Sequence, residues 1–487
     1  MGRHAAGPSQ WLRRIGVLSA VAVVALTLPG GPAGADTGAH HHHHRSGLVD
    51  FAGIRVQQVE RVDSRLMDVT MVTGALAAPV HVEVLLPSDY ADAPGQRYPS
   101  LYLLHGCNAG NDPNGPFNGS DYLAWAQAGQ AEQTSADAGV IVVIPEGGSA
   151  ASSTDWFNGG AGGPPEWETF QVDQLVPWID HNFRTIDSRG ERAIAGLSMG
   201  GFGSLSYAAR HPDLFGAAAS FSGADDLTDP PAVAEPISTV VVAACAAGEG
   251  GSGFSTFGPH ATEELNWRAH DPPQLAANLA HTKLYLYTGN GQPGPLDPPG
   301  TTGVDTIEAL AHEATVQFHD VLESAGIHSF FDDYGPGTHT FPYWARDLRD
   351  VLPKLMAEFA RNRGDPTTFT FTSEAASYAA YGWDVHMHRL AGEFSTLADA
   401  HARSFTLSGS GSAVVVTGPD YPPLSAQQIQ VRSRSGTRST TLRADEEGRL
   451  RIPVPLGPAN PFQEYTAAAL TAGTQVFVTV VEVRPPR

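Results

Sequence analysis

The chain has 487 residues, 41% of them hydrophobic, and a formal net charge of −22. This length exceeds that of one ordinary domain, and the apolar content is sufficient to bury a sizeable core. So much negative charge disfavours a nucleic-acid partner, which needs a basic protein face, and it also disfavours electrostatic docking on anionic membranes.

The first 35 residues have the pattern of a cleavable secretion signal. Arg13 and Arg14 close a short charged region, an apolar run spans 15–28, and small residues follow up to Ala35. The apolar run is too short to span a bilayer comfortably, and the sequence contains no second long apolar run. We predict cleavage after Ala35 and a secreted chain without a transmembrane segment, either free or associated with the cell wall.

Residues 36–47 include five consecutive histidines at 40–44. Such a tract could be a metal-binding patch, an expression tag or a solvated linker. Its position next to the predicted cleavage site favours a linker. We therefore leave it out of the candidate site and expect no metal there.

Between residues 48 and 365, apolar runs alternate with amphipathic segments. This alternation predicts a doubly wound, mostly parallel β-sheet with crossover helices. The predicted strands are 82–86, 100–104, 140–144, 193–195, 217–221 and 284–287. The predicted helices are 170–182, 201–210, 306–325 and 344–361.

Residues 366–487 have a different pattern, with short β-branched runs separated by turn-forming clusters. The runs are 368–372, 413–417, 429–432, 450–454 and 475–483. They predict a small all-β domain resembling a sandwich. Its role is open between a structural appendage and a module that binds a cell-wall glycan.

The strongest motif is Gly-Leu-Ser-Met-Gly at 196–200, which fits the pattern G-x-S-x-G. It follows an apolar strand and precedes a helix, as in the nucleophile turn of α/β-hydrolases. That turn is so sharp that only small neighbours fit, and it lifts the serine hydroxyl above the sheet. We therefore predict an α/β-hydrolase fold with Ser198 as the nucleophile.

A serine nucleophile needs a base and an acid that orients the base. Among the late histidines, His339 alone lies in a loop between a strand-like segment and the final helix, so we predict it as the base. The acid should follow the strand 284–287. Asp297, Asp305 and Glu308 are all candidates, and spacing alone does not decide among them.

Two backbone amides should bind the oxyanion. The first belongs to Met199, the residue after the nucleophile, and the second to the loop His105-Gly106-Cys107-Asn108, which follows the apolar run 102–104. Either Cys107 or Asn108 could supply that second amide.

The chain contains two cysteines, Cys107 and Cys245. An exported protein could pair them, but two residues so far apart in sequence do not establish a disulfide, and Cys107 lies in the predicted oxyanion loop. We therefore expect both cysteines to be free thiols.

Taken together, several segments resemble the esterase D superfamily, and within it the antigen 85 mycolyltransferases. They occur in family order across about residues 55 to 361. The segments are LYLLHG (101–106), STDWFNGG (153–160), EWETFQVDQLVPWI (166–179), AIAGLSMGGFGSLSYAARHPDLF (193–215), LYLYTGNG (284–291) and GTHTFPYW (337–344).

The resemblance implies a Ser-Glu-His triad whose glutamate lies early in the helix before the histidine loop. Ile307-Glu308-Ala309-Leu310 stands at the matching distance, so the comparison favours Glu308 over the two aspartates. It also assigns the oxyanion amides to Met199 and Cys107.

The chain departs from antigen 85 where the sugar acceptor would bind. The family has Asp-Gly-Leu-Arg in the oxyanion loop and Ser-Trp after the histidine, whereas this chain has His105-Gly106-Cys107-Asn108 and Thr340-Phe341. We take His105, Asn108 and Phe341 as substrate-binding candidates. These departures favour water or a simple alcohol over trehalose as the acceptor.

The sequence thus predicts a secreted serine carboxylic-ester hydrolase or acyltransferase that acts on a lipid or glycan ester without a cofactor. A trehalose mycolyltransferase is the alternative within the same chemistry. A non-catalytic protein that binds the cell wall or a matrix is the alternative of another class, and the presence of Ser198, Glu308 and His339 disfavours it.

Overall fold

In the computed structural model, the described residues are 47–108, 122–150, 153–157, 165–228, 231–247, 251–252 and 254–485, with 231–237 described as backbone only. They belong to one compact unit, Gly47–Arg487. The predicted signal peptide and the histidine tract lie outside the described residues.

The first part of the described chain builds a sheet of nine strands. In chain order they are β1 (Arg55–Arg61), β2 (Leu66–Val72), β3 (Val80–Leu85), β4 (Ser100–Leu104), β5 (Ile141–Pro145), β6 (Arg192–Leu197), β7 (Ala217–Phe221), β8 (Lys283–Thr288) and β9 (Ser329–Asp333). Their spatial order is β1-β2-β3-β5-β4-β6-β7-β8-β9. The pairs from β5 through β4 to β9 are parallel, whereas β1, β2, β3 and β5 pair antiparallel.

Helices cover both faces of this sheet. They are α1 (Ala124–Gln127), α2 (Ala131–Thr134), α3 (Val176–Asn182), α4 (Met199–Arg210), α5 (Pro231–Ala246), α6 (His260–His270), α7 (Thr306–Ser324) and α8 (Phe341–Phe359). A π-helical segment, Thr169–Leu175, leads into α3, and the short turn Ala276–Leu279 is 3-10 helical.

The central strands form because their side chains are apolar on both faces, as a parallel sheet covered by helices requires. Every residue of β4, β5, β6 and β7 is buried. Alternate residues therefore enter two cores, one on each side of the sheet. Val143 and Ile194 belong to the first, and Val142 and Ala193 to the second.

The C-terminal part consists of two antiparallel sheets. Their strands are β10 (Phe369–Ser373), β11 (Ser377–Ala380), β12 (Trp383–His388), β13 (Ser395–His401), β14 (Ser404–Gly409), β15 (Ser412–Val416), β16 (Ala426–Ser433), β17 (Gly436–Arg443), β18 (Arg451–Pro455) and β19 (Phe477–Arg484), with a short helix α9 (Ala467–Ala472). The orders are β10-β13-β14-β19-β16-β17 and β11-β12-β15-β18.

The inward side chains of these two sheets form a third hydrophobic core of their own. The prediction of an α/β-hydrolase fold followed by a separate all-β domain is therefore confirmed. Hydrogen bonds nevertheless join the two parts: Asn278 accepts from the backbone N–H of Thr372 at 2.8 Å and donates to its carbonyl at 2.9 Å.

Candidate active site

Ser198 lies on the turn between β6 and α4, with backbone angles φ 53° and ψ −123°. Positive φ is strained for a residue with a side chain, and such strain is typical of functional turns. A Cβ atom on Gly196 would come within 2.3 Å of the Gly200 carbonyl oxygen, and one on Gly200 within 2.3 Å of the His105 carbonyl oxygen. The glycines of the motif are therefore required by the close approach of these backbones.

The imidazole of His339 stands directly next to the serine. Its Nε2 lies 2.9 Å from Ser198 Oγ, although the two residues are 141 positions apart in sequence. His339 belongs to the loop between β9 and α8, and its ring meets the Trp344 ring edge-on, with centroids 4.9 Å apart. This packing holds the imidazole in one orientation.

The other ring nitrogen of His339 faces Glu308. The distance from Nδ1 to Glu308 Oε2 is 2.7 Å, and the glutamate side chain is fully buried. Its second oxygen, Oε1, accepts from the Gly289 amide at 2.7 Å and from Ser222 Oγ at 2.8 Å. Of the three acid candidates, Glu308 is therefore the one that contacts the imidazole.

The two aspartates hold other parts of the same loop. Asp305 caps α7 through hydrogen bonds from the amides of Ile307 and Glu308, and its second oxygen accepts from the His339 backbone amide at 3.0 Å. Asp297 accepts from Thr338 Oγ1 and Tyr343 Oη. Asp305 thus holds the backbone of the His339 loop, and Asp297 holds the side chains of Thr338 and Tyr343.

A further buried carboxyl, Asp347, lies near the acid. Burial raises the pKa of Asp347 to about 8, the hydrogen bond from Arg346 opposes this increase, and the negative charge of Glu308 adds to it. The raised pKa favours the protonated form of Asp347, which limits the negative charge near Glu308.

The predicted oxyanion amides lie at the start of α4 and in the loop after β4. Met199 is the first residue of the twelve-residue helix α4, where backbone N–H groups have no helical partner and carry partial positive charge. In the loop, the Asn108 amide donates to the Ser149 carbonyl at 2.7 Å. This bond occupies the Asn108 amide, so the Cys107 amide stays the predicted second donor.

The structure gives His105 a different place from the predicted substrate contact. Its side chain is buried, with a relative exposure of 2%. Nε2 accepts from the Gly147 amide at 2.9 Å, and Nδ1 lies 2.7 Å from the Gly106 carbonyl oxygen. Because that carbonyl belongs to the Gly106–Cys107 peptide, His105 orients the peptide whose N–H is the predicted oxyanion donor.

The expectation of free thiols is wrong. Cys107 and Cys245 form a disulfide with a Cα–Cα distance of 5.5 Å. The two residues are 138 positions apart, and the fold brings them together by packing the C-terminal end of α5 against the loop after β4. Sequence separation was therefore a poor guide to this contact.

The remaining substrate-binding candidates are Phe341, which follows the His339 loop, and Asn108, which lies in the oxyanion loop. Phe341 begins α8, is partly buried, and meets the rings of Trp125 and Trp344 edge-on at 6.2 and 4.9 Å. Asn108 is partly exposed.

Sequence reasoning missed Ser222, which follows β7 and has φ 51°. Its hydroxyl donates to Glu308 and lies 3.4 Å from the Trp344 indole nitrogen. The serine stands at the end of a strand beside the nucleophile strand, and that position was the available signal.

Within the residues that the structure describes, no cluster of acidic, histidine or cysteine side chains could hold a metal, and no helix is long and apolar enough to cross a membrane.

A mostly parallel sheet with a strained serine between strand and helix, backed by histidine and a buried carboxylate, defines the α/β-hydrolase class. The Esterase family model matches residues 73–355, which is more than half of the chain. The chain belongs to this family.

Two relatives illustrate the range of the similarity. Esterase Rv1288 of Mycobacterium tuberculosis (strain ATCC 25618 / H37Rv) is 31% identical over 315 residues, which are 63% of this chain and 63% of the relative. The chain therefore spans less than two thirds of that esterase. The diacylglycerol acyltransferase/mycolyltransferase Ag85B of Mycobacterium leprae (strain TN) is 30% identical over 311 residues, covering 59% of this chain and 89% of the relative.

Solved structures also match. Mycobacterium tuberculosis MPT51 (FbpC1) is 25% identical, covers 62% of this chain and 99% of its own, and has a TM-score of 0.47. A ferulic acid esterase is 21% identical, covers 61% and 98%, and has a TM-score of 0.43. The chain is thus a member of the Esterase family that is similar to an esterase and to an acyltransferase.

Proposed function

We propose that this protein is a serine carboxylic-ester hydrolase or acyltransferase that forms an acyl-enzyme on Ser198. The observation that carries the proposal is the continuous chain of contacts from Ser198 Oγ to His339 Nε2 at 2.9 Å and from His339 Nδ1 to Glu308 Oε2 at 2.7 Å. A hydroxyl, a base and a buried carboxylate in this order are the parts that nucleophilic acyl transfer requires.

In the first half-reaction, Ser198 Oγ attacks the ester carbonyl while His339 Nε2 takes the hydroxyl proton. The buried carboxylate of Glu308 stabilises the imidazolium that forms. The amides of Met199 and Cys107 donate to the oxyanion of the tetrahedral intermediate. As the intermediate collapses, His339 returns its proton to the leaving alcohol, and the acyl group remains on the serine.

In the second half-reaction, water or another alcohol attacks the acyl-enzyme. His339 takes a proton from this nucleophile and then gives it to Ser198 Oγ, which restores the starting state. Every proton is carried by a residue of this chain, so the proposed reaction needs no metal or organic cofactor.

For the acceptor, we propose water or a simple alcohol in preference to trehalose. A disaccharide is held by hydrogen bonds to many hydroxyls, and charged side chains make the stronger of these. At the position where antigen 85 proteins have an arginine, the oxyanion loop has the uncharged Asn108. His105, which takes the position of the family's aspartate, is buried. Phe341 packs edge-on between Trp125 and Trp344, in the place where a tryptophan would offer a sugar platform.

Trehalose mycolyltransfer is the second candidate, because the match to Ag85B covers 89% of that relative. The two candidates share the acyl-enzyme and differ in what resolves it.

We further propose that the protein is secreted. The pattern of residues 1–35 supports this proposal, and the disulfide between Cys107 and Cys245 supports it independently, because stable disulfides form in oxidising compartments. We place the boundary between the catalytic and C-terminal domains at residues 365/366, which the separate core of the C-terminal sheets supports. For that domain, binding to a cell-wall glycan stays a sequence-based proposal.

A hydrolysis screen with p-nitrophenyl esters from acetyl to palmitoyl tests the proposal. We expect turnover that Ser198→Ala lowers by several orders of magnitude. Partition of the acyl group as trehalose is added then separates the two candidates: hydrolysis should predominate, and predominant transfer to trehalose would favour the mycolyltransferase. Activity of Ser198→Ala close to that of the unsubstituted protein would refute both.

A further inference from the structure

The disulfide joins the predicted oxyanion donor to α5, a helix outside the contacts among Ser198, His339 and Glu308. Cys107 supplies the amide in the loop after β4, and Cys245 lies in the last turn of α5. Both residues are buried, with relative exposures of 3% and 0%. Their sulfur atoms are bonded to each other, so neither acts as a free thiol.

Two hydrogen bonds follow the same path as the disulfide. The Asn108 amide donates to the Ser149 carbonyl at 2.7 Å, and Ser149 Oγ donates to the Cys245 carbonyl at 2.9 Å. The loop after β4, the loop after β5 and the end of α5 therefore form one closed set of contacts. The oxyanion loop is held to α5 both covalently and through Ser149.

The C-terminal end of α5 is held in place by its burial in the protein core. Val242, Cys245 and Ala246 are fully buried in the first hydrophobic core, and Ser238 Oγ donates to the Leu227 carbonyl at 3.0 Å. A group bonded to this part of the helix therefore takes its position from the core.

Oxyanion donors are useful only when they are preorganised. The amide must stand about 3 Å from where negative charge develops, and removing one donor costs about 100- to 1,000-fold in kcat. A donor that is present but not held in position should lower kcat by part of that factor. Substrate binding before the reaction depends much less on this amide, because the charge is not yet formed.

We propose that Cys245 is a positioning residue, which holds the Cys107 amide in the oxyanion hole through the disulfide. This proposal rests on the proposed function, since it assigns a role within the same acyl transfer. His105 orients the Gly106–Cys107 peptide from within the loop, and Cys245 fixes the position of the same peptide from outside the loop.

The test compares Cys245→Ser, Cys107→Ser and the double variant with the unsubstituted protein. Each keeps the backbone amide of residue 107 and removes the same bond. We expect kcat for a p-nitrophenyl ester to fall about tenfold in all three, with KM changed less than about twofold. The double variant should lose no more than either single variant, because the bond is already absent.

Two measurements separate positioning from general stability. Titration with a fluorophosphonate counts the reactive Ser198, so that kcat is expressed per folded site. The inhibition constant of a trifluoromethyl ketone, which forms an oxyanion on the serine, should rise about tenfold with the loss in kcat. Leu279→Ala is the matched control, because it removes a fully buried side chain of the catalytic region and should lower Tm without changing kcat per site.

The proposal is contradicted if the cysteine variants lower Tm but keep both kcat per site and the inhibition constant. It is equally contradicted if their kcat falls while the inhibition constant stays constant. An active Ser198→Ala variant would instead remove the proposed function, whatever the cysteine variants do, so the two failures are distinguishable.

Discussion

Each of the two domains buries a glutamate, and the surroundings of the two carboxylates differ. In the catalytic domain, Glu308 uses one oxygen to accept from Gly289 and Ser222, while the other faces His339 and, through it, Ser198.

In the C-terminal domain, Glu393 is also buried, with a relative exposure of 3%. It accepts from the Ser410 amide at 2.7 Å and from Asn460 Nδ2 at 2.5 Å. The backbone N–H of Asn460 donates to Ser410 Oγ, so each of the three residues is hydrogen-bonded to the other two.

The difference shows that burial of a carboxylate does not by itself indicate a site. Glu393 joins loops within one β-domain, and each partner in its network is held by another partner. Glu308 stands at the end of a chain that leads to a hydroxyl on a strained turn. These contacts end at the hydroxyl of Ser198, and this hydroxyl gives the catalytic domain its proposed chemistry.

The largest expected effect comes from replacing each glutamate by glutamine. In Glu308→Gln the imidazolium loses its negative partner, and we expect kcat to fall by about 1,000-fold or more, as for other triad acids. Glu393→Gln is the matched control and should lower Tm while leaving kcat per titrated Ser198 unchanged. Steady-state kinetics with a p-nitrophenyl ester provide the measurement.

Asp305→Asn sharpens the same comparison. Asp305 holds the His339 backbone amide and caps α7, so its replacement should cost less activity than the loss of Glu308. A greater loss in Asp305→Asn than in Glu308→Gln would reverse the assignment of the acid.

The second prediction concerns His105, which we expect to act on kcat and not on substrate binding. His105→Leu removes the contact with the Gly106 carbonyl and should lower kcat about tenfold at nearly constant KM. His105→Asn is the matched variant, because its amide can replace the Nδ1 contact, and it should retain more activity. A rise in KM with kcat unchanged would restore the role of substrate contact that the sequence suggested.

The sequence predicted the central strands well because their burial is complete. The predicted strands 100–104 and 217–221 coincide with β4 and β7. Strands with exposed residues were missed: β1 has no buried residue, and β17 is exposed along nearly all of its length. Hydrophobic patterning has little to detect in such strands, because cross-strand pairing and not burial defines them.

For the candidate site, local motifs indicated Ser198 and His339, and the resemblance to antigen 85 added Glu308, but neither showed which way each side chain points. Ser198, Glu308 and His339 come together as expected. The inward orientation of His105 and the disulfide to Cys245 depend on the loop after β5 and on α5, both distant in sequence. A single sequence read along the chain carries no information on such contacts.

The third prediction tests the connection between the two domains. Asn278 is buried and pairs through its side-chain amide with the backbone of Thr372 and with the Ala209 carbonyl. Asn278→Ala leaves these groups unpaired, so we expect a loss of about 1–3 kcal/mol in the free energy of unfolding and no change in kcat per site.

Gln463→Ala is the control for this connection, because Gln463 makes an exposed contact with the Thr262 carbonyl at 2.9 Å and should matter little. Urea unfolding followed by circular dichroism measures both variants. Equal, small effects would show that Asn278 does not hold the two domains together.

The smallest expected effect is a change in the pH dependence of stability. Burial raises the pKa of Asp225 to about 7, and the charge of Asp226 adds to this, while Ser220 and Thr315 oppose it. Between about pH 4 and pH 7 the folded state therefore keeps the proton on Asp225, whereas the unfolded chain, in which this carboxyl has its ordinary pKa of 3.8, has released it. The free energy of unfolding therefore falls as pH rises from about 4 to about 7.

In Asp225→Asn, which resembles the protonated carboxyl, this part of the pH dependence should disappear. Tm measured between pH 5 and pH 8 should fall less steeply in the variant than in the unsubstituted protein. An equally steep decrease in both would show that Asp225 does not hold the proton.

The central claim is that Ser198 carries the acyl group during turnover. Rapid acid quenching of the reaction with a p-nitrophenyl ester, followed by mass spectrometry of the digested protein, tests it most directly. The account predicts one acyl group per chain on the peptide that contains Ser198, and none in Ser198→Ala. An acyl group on another residue, or full turnover by Ser198→Ala, would contradict it.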